Sequence, residues 1–105
     1  MDPYAQRQSL CSDIASLEST IGQMERDKSD IYFQIRMIQG QIDYLRRHPL
    51  PGEIERLEIH KAMLNRRFLD VQGKIGDQHG ELRVRRAQLA QLDRSYSTNG
   101  NCDLY

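Results

Sequence analysis

The sequence predicts an all-α protein, an antiparallel two-helix coiled-coil hairpin, on three observations. The three prolines are Pro3, Pro49 and Pro51, so the long stretches between them carry no helix breaker. Apolar residues recur along both stretches at alternating spacings of four and three. Folded back at Pro49–Pro51, the two stretches also match layer for layer.

The first helix is expected over about residues 3–47. Asp2 offers a side-chain cap, and Pro3 suits the first helical position, where its missing N–H costs nothing. From there the seam runs Leu10, Ile14, Leu17, Ile21, Met24, Lys28, Ile31, Ile35, Ile38, Ile42 and Leu45, with Ile14 at an a position and Leu17 at d. Arg46, Arg47 and His48 place cations in the last turn, where the helix dipole favours them.

Residues 48–53, His-Pro-Leu-Pro-Gly-Glu, form the turn. Pro49 pushes His48 out of the α region and ends the first helix. Pro51 and Gly52 suit the opening turn of the second helix, with Glu53 and Glu55 at its positive end. That helix is expected over about residues 53–96, with the seam Ile54, Leu57, Lys61, Leu64, Phe68, Val71, Ile75, Gln78, Leu82, Arg85, Leu89, Leu92 and Tyr96. At roughly 1.5 Å per residue, each helix would be about 60 Å long. Residues 1–96 thus form one helical hairpin. The turn-rich, aperiodic residues 97–105 read as a flexible C-terminal tail.

In an antiparallel pair, a layers face d layers. Setting Leu45 against Ile54 aligns Ile42 with Leu57, Ile35 with Leu64 and Ile31 with Phe68. The same alignment continues through Met24 with Ile75, Leu17 with Leu82 and Leu10 with Leu89. It also sets Arg46 near Glu58, Asp27 near Arg67 and Lys74, and Glu18 near Arg86. Unrelated helices have no reason to agree in this way. Lys28, Lys61, Gln78 and Arg85 fall in the seam, where long side chains can reach out to water and help fix register.

The 15 basic and 15 acidic residues cancel, so no global field draws the chain to nucleic acid or an anionic membrane. No apolar run reaches the roughly 18 residues of a membrane span, and the first residues lack an apolar signal core. A cytoplasmic protein with reduced thiols is the expectation. Cys11 and Cys102 have no metal-ligand spacing, and a disulfide between them would require the tail to fold back along the first helix.

Function is expected in surfaces rather than in a reaction. Phe33, Met37, Gly40 and Tyr44 share an outer face of the first helix, level with Ile59, Ala62, Met63 and Leu69 on the second. A two-helix hairpin cannot bury them, and exposed aromatics and methionines mark interfaces. A second copy is the simplest partner, giving a homodimeric four-helix bundle near the turn. Gly73, Gly76 and Gly80, with Arg83, Arg86 and Ala87, form a second candidate surface, where glycine either loosens the helix or admits another backbone.

No catalytic or metal-binding constellation is found, and no cofactor is implied. His48, His60 and His79 are far apart along the helices, and Cys11 has no histidine at its height. The sequence therefore points to a non-enzymatic interaction module, an assembly adaptor or a small protein inhibitor with a larger protein as partner. The alternatives are an export or assembly chaperone with a hairpin stalk, or a nucleic-acid-binding helix using Arg66, Arg67, Lys74, Arg83, Arg85, Arg86 and Arg94. The last must contend with the neutral charge and with acids on the same helix.

Overall fold

A computed structural model of the chain describes residues 2–96, and both of its elements are helices: α1 (Pro3–Arg47) and α2 (Glu53–Tyr96). They form the all-α hairpin that the heptad pattern predicts. Asp2 caps α1, its Oδ1 accepting the Tyr4 backbone N–H at 3.2 Å and its carbonyl accepting the Gln6 N–H at 2.9 Å. Those bonds satisfy donors that a helix N-terminus otherwise leaves open.

The turn departs from expectation in one respect. Pro51 and Gly52 are turn residues outside α2, and Gly52 takes a φ of 79°. That left-handed backbone is cheap only for glycine, so residue 52 reverses the chain instead of opening the helix. The Gly52 carbonyl then accepts the Arg56 N–H at 3.2 Å, the first bond of α2.

The chain divides into two compact units, Met24–Ile75 around the turn, and Met1–Gln23 with Gly76–Tyr105. In the turn-side unit, Ile31, Ile38, Ile42, Leu45, Leu57 and Leu64 make one buried cluster, flanked by Ile35, Ile54, Phe68 and Val71. These are the expected a and d residues. Ile42 and Leu64 are fully enclosed, at 1% and 2% exposure. Each buried aliphatic side chain of this kind contributes about 1.5–3 kcal/mol relative to leaving it in water.

In the other unit Leu10, Ile14, Ile21, Leu82 and Leu89 form the buried cluster, with Cys11, Leu17 and Leu92 against it. This unit also buries an ion pair that the heptad reading did not foresee. Arg7 and Asp93 meet at 3.0 Å, each 6% exposed. Arg7 extends the a series one heptad before Ile14, so its seam position was visible, whereas nothing local marks Asp93 as its partner. Cys11 is disulfide-bonded, which corrects the expectation of reduced thiols. Spacing alone cannot reveal such a bond, because a disulfide is set by proximity in the fold. Cys102 and the proposed tail, residues 97–105, lie outside the described residues.

Cross-helix contacts fall at the expected register: Glu18 with Arg86 at 3.3 Å in one unit, and Tyr32 with Phe68 at 6.4 Å between ring centres in the other. Two charge pairings differ from expectation. Arg46 reaches Asp43 at 3.8 Å instead of Glu58, and Lys74 reaches Asp70 at 3.2 Å on its own helix. Within-helix partners three or four residues away need less side-chain ordering than partners across the seam.

Replacing Leu64 with Ala should cost about 2–5 kcal/mol in urea unfolding, the range for emptying a closed aliphatic site. Gly52→Ala should cost about 1–2 kcal/mol through its positive φ alone. A neutral Gly52→Ala in the same assay contradicts the left-handed turn.

Candidate functional site

Once the seam is filled, the turn-side unit still carries apolar side chains that nothing covers. Phe33, Met37, Tyr44, Ile59 and Met63 are each between 57% and 67% exposed. They are exposed because the a and d positions already supply the contact between α1 and α2, which leaves the outer positions of both helices facing away. Leu69 is likewise 66% exposed. Leu50 at the turn, 58% exposed, was not singled out from sequence because turn position says little about burial.

Met37, Gly40 and Tyr44 come together as one wall of an open groove of about 500 Å³, with Arg56 and Leu57 of α2 across from them. Its floor is the edge of the seam, Leu45 and Leu57, both buried residues reached from this side. Phe33, Ile59 and Met63 do not line the groove. They continue its two helix rows: Phe33 lies four residues before Met37, and Ile59 and Met63 lie three and seven after Arg56.

The rim is polar and locally balanced. Arg56 donates to Glu53 Oε2 at 2.7 Å, and Glu53, through that hydrogen bond and then its charge, raises the Arg56 pKa above the ordinary guanidinium value. The Tyr44 ring lies 4.6 Å from the His48 imidazole, centre to centre, which holds it over the last turn of α1. A Cβ built on Gly40 meets nothing within 4 Å, so Gly40 is a notch open to the outside and not a contact point within the hairpin.

The opposite edge of this unit differs in chemistry. The Lys28 ammonium lies 5.4 Å from the centre of the Phe68 ring, and the Arg36 guanidinium 5.9 Å from that of Tyr32. Lys28 thus leaves the seam over an aromatic face, which offsets the cost of a cation at an a position. Lys61, the other lysine of the seam, donates to Gln39 Oε1.

The second set of sequence-derived residues is divided between the two units. Gly73 belongs to the turn-side unit, whereas Gly76, Gly80, Arg83, Arg86 and Ala87 belong to the other. A Cβ at Gly73, Gly76 or Gly80 meets nothing within 4 Å, so no close approach among the described residues requires these glycines. Three basic residues of the candidate nucleic-acid face are matched by acids: Lys74 by Asp70, Arg85 by Glu81 at 3.9 Å, and Arg86 by Glu18.

A polar groove of about 460 Å³ lies in the far unit, with Gln6, Ser9, Asp13, Gln88 and Gln91 around Leu10 and Leu92. Among the described residues, no group of three or more His, Cys, Asp or Glu side chains is placed to hold a metal ion. None of the described helices is long and apolar enough to cross a membrane. No protein-family model matches the chain, and no curated protein or solved structure is significantly similar to it.

Because the glycine positions are open, Gly76→Ala and Gly80→Ala should each stabilise the folded chain, by about 0.5–1 kcal/mol. Thermal melts should therefore shift upward for each variant. A drop in either melt means that the glycine is needed for packing after all.

Proposed function

We propose that this chain is a non-enzymatic protein–protein interaction module, an assembly adaptor or a small protein inhibitor, working as a homodimer through the turn-side apolar face. One observation carries the reading: Phe33, Met37, Tyr44, Ile59 and Met63 stay more than half exposed in a unit whose core is already complete. Met37 and Tyr44 of this set line the groove, and exposed apolar surface of this chemistry is what proteins reserve for contacts. Methionine and aromatic side chains suit such a role because they adapt to a partner and bring large contact area.

A catalytic role has less behind it. His60 and His79 are exposed and belong to different units, and the charged side chains lining the turn-side groove, Glu53 and Arg56, are paired with each other. The nucleic-acid alternative is weakened by the acids that pair Lys74, Arg85 and Arg86. As for location, the disulfide at Cys11 favours an oxidising setting over the cytoplasmic one suggested by composition, since cytosolic thiols are kept reduced.

A photoreactive phenylalanine analogue placed at Phe33 tests the reading. Irradiation of the intact protein in its native extract should give adducts to a second polypeptide, of this chain or another. Met37→Glu in the same chain should remove those adducts while leaving helicity by circular dichroism unchanged. Adducts that survive Met37→Glu, or none at all, contradict the proposed face.

A further inference from the structure

One flank of the far unit is closed more tightly than two helices can close it. Asp93 lies beside the seam, at the e position of its heptad, and is 6% exposed. The other e residues of α2, Glu58, Asn65, Gln72, His79 and Arg86, are all exposed. Arg7 is as enclosed as Asp93, whereas Lys28, Lys61 and Arg85, the other cations of the seam, are half-buried. A two-helix seam leaves its flanks open to water, so long side chains there normally reach solvent.

The opposite flank has only the two helices to close it. There Gln6, Asp13, Gln88 and Ser95, at the same height, are all exposed around the open polar groove. In an antiparallel pair the e residues of both helices share one flank, as Glu18 and Arg86 do in their ion pair. Cys11 is the e residue of α1 one turn after Arg7, which sets it on the closed flank with Asp93. It is disulfide-bonded, and the sequence holds one other cysteine, Cys102.

The distances suit that cysteine. Cys11 is level with residue 88 in the hairpin register, about 12 Å back along α2 from Tyr96. The stretch from Ser97 to Cys102 can reach about 20 Å, enough to double back and bring Cys102 within disulfide range. Asn99-Gly100 suits the reversal, and Leu104 and Tyr105 bring apolar surface after the cysteine.

We propose that residues 97–105 cover this flank, fastened by a Cys11–Cys102 disulfide, and that this cover removes the Arg7–Asp93 pair from water. The flank belongs to the far unit, and its cover does not depend on the turn-side interaction face. A dithiol opens it: reduction of the S–S bond takes two electrons and two protons, gives the Cys11 and Cys102 thiols, and oxidises the dithiol to its cyclic disulfide. The opened form presents Arg7 and Asp93 to solvent in place of a closed surface.

Two measurements on the full chain test this. In the monomer band of a non-reducing denaturing gel, mass spectrometry should find the Cys11 peptide joined to the Cys102 peptide. Arg7 should react with phenylglyoxal at least about tenfold more slowly than exposed Arg83, because its guanidinium must first be uncovered. Reduction with dithiothreitol, followed by capping of both thiols with iodoacetamide, should bring Arg7 to the Arg83 rate. Cys102→Ser should do the same, with helicity by circular dichroism unchanged in both opened forms.

Cys11 joined to a second molecule overturns the segment as occupant. Arg7 that reacts like Arg83 in the oxidised protein overturns the closed flank. Arg7 that stays slow in both opened forms means that the helices bury the pair unaided, and overturns the cover. Loss of helicity in both opened forms overturns it as well, since a cover is separable from the hairpin beneath it.

Discussion

The fold depends on one constraint: a single file of Ile and Leu side chains must be closed from two sides by one chain. Within each unit, α1 and α2 supply opposite halves of that file, and the a-to-d register permits little slippage. A one-residue change of register, which turns a helix by about 100°, would carry its own enclosed side chain, Ile42 of α1 or Leu64 of α2, towards solvent. Pro49 and the positive-φ Gly52 set the starting layer, Leu45 on Ile54, from which the other layers follow. The polar seam positions are consistent with this. Lys28 and Lys61 leave the file by stacking on Phe68 and by bonding to Gln39, without burying an ammonium.

A two-helix seam has a cost in surface. It encloses one stripe of each helix and leaves every other apolar residue outside, so Met37, Tyr44 and Met63 have no place to go within their own unit. Burying them requires a second body. The far unit meets the same limit differently, with an Arg7–Asp93 ion pair buried beside the aliphatic cluster. Such a pair contributes little net stability once desolvation is counted, but leaving either charge alone would be expensive, so it fixes which residues face each other.

Much of the fold was legible because the heptad repeat and the prolines are local signals that periodicity and backbone chemistry decode. The helix bounds at Arg47 and Glu53 follow from Pro49 and from the acids after Gly52. The exposed rows were legible for the same reason, since a residue off the seam of a two-helix hairpin has no other wall to meet. What sequence did not give was anything set by proximity. The Cys11 disulfide and the Asp93 partner of Arg7 depend on where distant residues arrive. The actual partners of Arg46 and Lys74 were missed because cheap within-helix pairs compete with those across the seam. The groove beside Gly40 also needed coordinates, because a notch is defined by the side chains around it and not by the glycine alone.

The central claim is that the turn-side face, open in one chain, is covered in the assembled protein. The most direct measurement is the rate at which peroxide oxidises Met37 and Met63 across a dilution series, read by mass spectrometry against the half-buried Met24. At high concentration both should oxidise more slowly than Met24, and on dilution they should speed up together as the face opens. Rates for Met37 and Met63 that stay fast at every concentration would contradict the account.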